Sequence, residues 1–265
     1  MTRSIRLWSL TLLLVVLSTV LFACGGGDEE ADATEDDGEI SKLVVGTDAT
    51  YAPMEYMDDS GEIVGIDIDI VDAIAEEIGV EVEYKNIGWE PLFPAVDNGE
   101  VDFAVSSITI TEEREESYDF TDPYYVAKQV ILVPDGSDIT SFEDLEDDKV
   151  ISAQINTTEH IVVQDLIGET NPNILAAETM PLAITEMLNG NADASVGDNS
   201  TVNEYMENNP NEDVEVIEDD DNVDQEHYGL MVKKGNDEVR ELLNEGIAKI
   251  KENGKLEEIT GFVVE

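Results

Sequence analysis

Cysteine occurs once, at Cys24, so no disulfide framework can be built within the chain. Basic residues are scarce: 13 Lys and Arg face 63 Asp and Glu over 265 residues, a formal charge of −50. A sequence-independent nucleic-acid binder must neutralise phosphates with basic side chains, so that class is excluded. A basic patch for an anionic membrane surface is excluded on the same ground. Histidine occurs only at His160 and His227, without metal-ligand spacing, and no metal or cofactor is expected. His160 is expected on a helix surface, and His227 to pack or hydrogen-bond near a crossing between domains. Also missing are Gly-x-Gly-x-x-Gly, the phosphate-cradling Gly-x-x-x-x-Gly-Lys and a nucleophile elbow. Aromatics are 6% of the chain, so the core should be mostly aliphatic; at 42% hydrophobic, the chain can nevertheless build one.

So many like charges strain a folded chain by self-repulsion, a lever that halophiles use. At molar salt the screening length falls to about 3 Å and the repulsion is largely switched off. The acids are spread over every segment, so a salt-adapted source is expected. The charge then describes the solvent more than the function.

Arg3 and Arg6 precede an uncharged run from Leu7 to Ala23, followed by Cys24-Gly25. A basic start, a short apolar stretch and small residues before the break read as a secretory signal over residues 1–23. The alternative is a retained signal anchor, because 17 residues are marginal for a span. The segment resembles a lipoprotein signal, which would leave Cys24 as a lipid-bearing N-terminus at the outer face of the cytoplasmic membrane. Between Asp28 and Glu39 eight of twelve residues are acidic and no apolar periodicity appears. Residues 24–40 are therefore expected to form a self-repelling linker.

From Lys42 the pattern turns globular. Leu43-Val44-Val45 suits one buried strand, ending at Gly46-Thr47-Asp48. Ile70, Val71, Ile74, Ala75 and Ile78 fall at helical spacing and predict an amphipathic helix over Ile66–Ile78, capped by Gly79. Val80 to Tyr84 alternates as a strand. Asp237 to Glu252 reads as a second amphipathic helix. Strand and helix in alternation imply α/β architecture with parallel pairing.

The segment Asn98-Gly99-Glu100-Val101-Asp102-Phe103-Ala104-Val105-Ser106-Ser107 is echoed 91 residues later by Asn189-Gly190-Asn191-Ala192-Asp193-Ala194-Ser195-Val196-Gly197-Asp198. A weaker echo links Lys42-Leu43-Val44-Val45 with Lys149-Val150-Ile151-Ser152. Together they predict two similar α/β lobes. Ligands of open α/β sheets bind at the carboxyl ends of strands. Facing lobes would therefore gather Thr47-Asp48, Ser106-Ser107, Gln154 to Thr158 and Asp198 around one cleft.

After removal of the leader only Arg114 and Arg240 remain among the arginines. A guanidinium grips a carboxylate bidentately, which lysine cannot do. Arg240 sits in an acidic helical context and should pair at the surface. Arg114 reads two ways: as a ligand clamp, or as an arginine absorbed by Glu112, Glu113, Glu115 and Glu116. Tyr51 and Trp89 are scarce aromatics beside strand ends, where cleft lining and core packing are both open.

Thr47-Asp48-Ala49-Thr50-Tyr51-Ala52-Pro53-Met54-Glu55, Val64-Gly65-Ile66-Asp67-Ile68-Asp69, Ser106 through Arg114, and Asp119-Phe120-Thr121-Asp122-Pro123-Tyr124-Tyr125 resemble the polar amino-acid-binding proteins of ABC importers, the family 3 group of extracellular solute-binding proteins. The resemblance implies a two-lobed, type II periplasmic-binding-protein-like fold with two parallel-rich sheets and two crossing hinge strands. Lobe 1 would be 41–125 plus 226–265, and lobe 2 would be 126–225. It further implies a monomer that binds a free polar or basic amino acid and passes it to ABC permease subunits. By the resemblance, Arg114 would clamp the ligand α-carboxylate, helped by Thr109 and backbone N–H groups near Thr157 and Thr158. Asp198 and the Ser107 carbonyl would take the α-ammonium. Tyr51 and Trp89 would flank the side chain, and Asp48 would lie near its far end. Asn156-Thr157 departs from the family's usual Gly-Thr, and Gln154 occupies a position that varies with ligand.

Two other classes remain. Some relatives on this scaffold dehydrate cyclohexadienyl acids, for which Glu55 or Glu90 would be the general acid. A sensory ligand-binding module usually continues into a membrane span and a signalling domain; here it would be a module whose closed form is read by a partner sensor.

Overall fold

A computed structural model describes residues 40–146, 148–219 and 222–264. The expected signal, Cys24 and residues 28–39 lie outside them. Strand β1 (Lys42–Thr47) leads into a small antiparallel sheet of β2 (Thr50–Tyr51), β3 (Glu55–Met57) and β4 (Ile63–Val64). Helix α1 (Ile66–Ile78) follows with the predicted limits. It buries Ile68, Ile70, Val71, Ile74 and Ala75, and ends at Gly79, whose φ of 74° is the left-handed stop that glycine allows.

Next come β5 (Glu81–Asn86), α2 (Trp89–Asp97), β6 (Phe103–Ala104), α3 (Glu112–Ser117) and β7 (Tyr118–Phe120). Strand β8 (Tyr125–Ala127) then crosses to a second sheet. That half comprises β9 (Gln129–Pro134), β10 (Ile151–Gln154), α4 (Thr158–Ile167), β11 (Ile174–Ala177), α5 (Met180–Leu188), β12 (Ala194–Asp198), α6 (Asn199–Asn208) and β13 (Val214–Ile217). The chain returns along β14 (Glu226–Tyr228), antiparallel to β8, into β15 (Met231–Lys233), α7 (Asp237–Glu252) and α8 (Lys255–Thr260).

The two large sheets have matching orders, β5-β1-β6-β15-β7 and β11-β10-β12-β9-β13. In each, three parallel strands are followed by two antiparallel pairings, so only the fourth strand, β15 or β9, runs against the rest and both sheets are mixed. The sequence echo has a physical cause. Asp102 accepts from Val44 N–H at 2.6 Å and returns its own N–H to Val44 O at 2.8 Å. Asp193 does the same with Val150, at 2.7 Å in both directions. Each Asp pins the start of a central strand, and each preceding Asn-Gly turn ends a helix with glycine at positive φ.

Helix α7 packs against α1, burying Val239, Leu243, Ile247 and Ile250. The approach is close: a Cβ on Gly246 would stand 2.6 Å from Ile74 Cγ2. Aliphatic side chains dominate the interior, but the largest fully buried ones include Tyr124 and Tyr228, at the crossing. Tyr228 stacks on Tyr125 with ring centroids 5.5 Å apart.

Candidate functional site

The carboxyl ends of β1, β6, β10 and β12 surround one cavity. The ten residues expected to bind ligand line it, whereas Thr47, Ile155 and Asn156, expected around the cleft from strand ends, do not. Asp48 follows β1, Tyr51 is on β2 and Trp89 opens α2. Ser107 and Thr109 follow β6, and Arg114 projects from α3. On the facing wall Gln154 ends β10, Thr157 and Thr158 open α4, and Asp198 ends β12. Glu55, Ser106 and Glu159 complete the lining.

Helix α3 is a single short turn capped by Thr111, whose hydroxyl accepts from Arg114 N–H at 3.2 Å. The Arg114 guanidinium donates to Thr109 O at 2.8 Å and lies over the rings of Trp89 and Phe93, 5.5 and 5.7 Å from their centroids. Among the described residues it makes no ion pair, although four glutamates flank it in sequence. The surface-absorption reading of Arg114 is therefore excluded. Arg240, by contrast, pairs with Asp237 at 2.6 Å. Burial lowers the Arg114 pKa, opposed by the negative charges of Glu159, Glu226, Asp198 and Glu113.

Beside it, Thr157 caps α4 by accepting from His160 N–H at 3.3 Å. The first N–H groups of a helix have no intrahelical acceptor and favour an anion. The hydroxyls of Thr109 and Thr158 donate to Glu226 Oε2, at 2.7 and 3.0 Å. These hydroxyls are thus engaged by an acid on the crossing strand that the sequence did not single out.

Asp198 is 3% exposed. Its Oδ2 accepts from Tyr51 at 3.0 Å and from Tyr228, while its Oδ1 is buried with no partner among the described residues. Tyr51 also lies 3.2 Å from Glu159 Oε1. Burial pushes the Asp198 pKa well above the usual carboxylate range, reinforced by the charges of Glu159 and Glu226. At the other end of the cavity, Asp48 accepts from Thr50 at 3.1 Å and from Gln154 Nε2 at 3.3 Å, and burial raises its pKa as well.

The two walls touch. Tyr51 to Asp198, Gln154 to Asp48, and Asn156 Nδ2 to Glu90 Oε1 at 2.8 Å all span the cleft. Asn156 adopts a φ of 60°, so it fills a left-handed position that glycine would fill without strain. Its N–H donates to His160 Nδ1 at 3.2 Å, which explains why His160 is buried rather than on the helix surface as expected. His227 is the reverse case: its side chain is exposed, and only its backbone serves the crossing pair.

Residues 43–261 match the model of the bacterial extracellular solute-binding proteins, family 3. The chain belongs to that family. A probable histidine-binding protein of Neisseria gonorrhoeae is 35% identical over 240 residues, covering 90% of this chain and 88% of the relative. The arginine-, lysine-, histidine-binding protein ArtJ of Geobacillus stearothermophilus shares the fold with a TM-score of 0.79 and 46% identity, over 83% of this chain and 93% of that one. An ancestral amino acid-binding protein, AncCDT-1, a precursor of cyclohexadienyl dehydratase, gives 0.72 and 34% over the same shares. This family 3 solute-binding protein has the two-lobed type II fold that its motifs imply, with β8 and β14 as the crossing strands.

Proposed function

We propose that this chain is the substrate-binding component of an amino-acid ABC importer, capturing a free polar or basic amino acid and delivering it to permease subunits in the membrane. One observation carries the reading: a single cavity holds a guanidinium, Arg114, and a buried carboxylate oxygen, Asp198 Oδ1, that have no carboxylate partner and no donor among the described residues. The carboxylate and ammonium of one zwitterion answer both. Leaving either buried group unpaired is costly, so ligand is strongly preferred to none.

In this reading Arg114 and the N–H groups opening α4 at Thr157 and Thr158 hold the α-carboxylate, with Thr109 beside them. Asp198 takes the α-ammonium with the Ser107 carbonyl. Tyr51 and Trp89 flank the side chain, and Asp48 and Gln154 meet its far end. Asp48 and Glu159 leave the lining with excess negative charge, which favours a cationic side chain. Arginine, lysine and histidine are thus placed ahead of glutamine, and acidic amino acids should bind poorly. Relatives named for histidine and for arginine, lysine and histidine support the same class.

Lobe 1 (41–125 plus 226–265) and lobe 2 (126–225) would close about β8 and β14 because ligand contacts both walls only when they meet. The protein is a binding protein rather than an enzyme. It works as an exported monomer, tethered by lipid on Cys24 and an acidic linker, in a salt-rich medium. The test is calorimetric titration of the purified protein in molar salt with the twenty amino acids. Saturable heat with one or a few basic or polar ones is expected; a folded sample silent to all twenty would overturn the reading.

A further inference from the structure

Beneath the cleft lies a second group of acids that the binding scheme does not use. Glu55 on β3 and Asp67 in the first turn of α1 are 1% and 0% exposed. They meet at one residue: Ser107 donates its N–H to Asp67 Oδ2 at 2.8 Å and its hydroxyl to Glu55 Oε2 at 3.2 Å. Neither takes part in any ion pair among the described residues. The titratable groups facing them are Asp48 after β1, Tyr84 on β5, and Tyr124 and Tyr125 at β8, none of them a cation.

Both carboxyls hold the turn that forms the cavity wall after β6. Ser107 stands at a φ of 48°, a left-handed conformation that is strained for a residue with a side chain. What holds it there is Asp67 Oδ2, which accepts Ser107 N–H at 2.8 Å and the Tyr124 hydroxyl at 3.0 Å. Glu55 accepts from the hydroxyls of Ser106 at 2.8 Å and Ser107 at 3.2 Å, and Ser106 Oγ in turn accepts Asp48 N–H at 3.1 Å. Among the described residues Asp67 Oδ1 is buried without a hydrogen-bond partner. Two carboxylates cannot meet in such a place unless a proton lies between them.

We propose that Glu55 and Asp67 are positioning residues that share one proton, carried by Glu55 and donated to Asp67, and that this pair fixes the Ser106–Ser107 turn for ligand binding. The inference rests on the amino-acid-binding reading of the cleft. Burial and the neighbouring Asp67 push Glu55 well above the carboxylate range, while burial raises Asp67 to about 6. Below that value Asp67 gains a proton of its own and loses acceptor capacity. Above the Glu55 value the pair becomes two facing anions. Only the singly protonated pair offers acceptors to Ser107 N–H, to Tyr124 and to the Glu55 hydroxyl together. Ligand affinity should therefore peak between the two titrations.

Infrared spectroscopy of the unliganded full chain tests the proton without any ligand. At pH 7 an acid carbonyl band should be present in Asp198→Asn and absent from the double variant Glu55→Gln/Asp198→Asn. Arginine titrations from pH 5 to 9 test the consequence. Glu55→Gln, a neutral donor of similar shape, should stay within about threefold of wild type at pH 7 and flatten the alkaline limb; Asp67→Asn should lose about tenfold or more. The wild-type to variant ratio cancels the ligand's own titration. No acid band at pH 7 in Asp198→Asn, or matching pH profiles for wild type and Glu55→Gln, would overturn the proposal. Should Glu55→Gln not fold, the Asp198→Asn spectrum decides alone. If no amino acid binds wild type, the function assigned to the cleft fails and the tie to binding fails with it, while the band still reports where the proton sits.

Discussion

The Tyr51 hydroxyl crosses the cleft to within 3.0 Å of Asp198 Oδ2, joining a side chain of one sheet system to the end of a central strand in the other. Because Tyr51 and Tyr228 both occupy Oδ2, the free oxygen of Asp198 is held facing the cavity. Tyr51→Phe should keep the fold and weaken amino-acid binding by about 10- to 100-fold, as expected for losing a hydrogen bond to a charged group. Unchanged affinity in calorimetric titration would remove Tyr51 from the binding scheme.

Arg114 and Arg240 form an internal control. Arg114→Ala should reduce binding beyond detection, and Arg114→Lys should recover only part of it, because an ammonium cannot make the two-pronged contact. Arg240→Ala touches only an exposed ion pair and should leave affinity alone. Equal affinities for the two alanine variants would refute the clamp.

The pH behaviour of Asp198 has a definite sign. Its folded pKa is raised, so the folded state holds a proton that the unfolded state releases above about 4, and the unliganded protein loses stability as pH rises through the folded value. Asp198→Asn should thus melt higher than unliganded wild type at pH 8, with the difference shrinking toward pH 4, while failing to bind. Melting curves with and without ligand across that range would show it; a pH-independent difference would contradict it.

Gly65 precedes α1 at a φ of 133°, and a Cβ there would stand 2.2 Å from the Met54 carbonyl oxygen. Neither backbone can yield cheaply, and the Asp67 side chain depends on this entry into the helix. Gly65→Ala should cost about 2 kcal/mol or more in denaturant unfolding. A loss below about 0.5 kcal/mol would mean the entry is soft.

Lowering salt should expose the charge imbalance. Between molar and about 0.1 M NaCl the screening length grows from about 3 to 10 Å, so the melting temperature should fall steeply. Ligand affinity should change far less, since the charges it meets are buried. A melting temperature indifferent to salt would count against a salt-adapted chain.

Much of this molecule is legible from its residues. The limits of α1 and α7 follow from aliphatic spacing and polar or glycine ends, and the 91-residue echo marks two equivalent turns because Asp102 and Asp193 make the same paired bonds. Asp48, Ser107, Gln154, Thr157, Thr158 and Asp198 follow from strand ends, whereas the parts given to Arg114, Thr109, Tyr51 and Trp89 rest on the family resemblance. What stays hidden is the part of the acids that act by burial: Glu55, Asp67, Glu159 and Glu226 are four among 63 acids in the chain. Their distinction lies in which hydroxyls and tyrosines the fold brings to them. His160 is hidden likewise, since its burial depends on one N–H of Asn156 four residues earlier.

Tyr228 belongs to a crossing strand, yet its hydroxyl grips Asp198, and its ring stacks on Tyr125 of the other crossing strand. The crossing strands and the proposed recognition carboxylate are therefore directly bonded to each other. On the proposed reading, a load placed on Asp198 would be delivered straight to the axle on which the walls swing, and an occupied cavity and a stiffened hinge would be a single event.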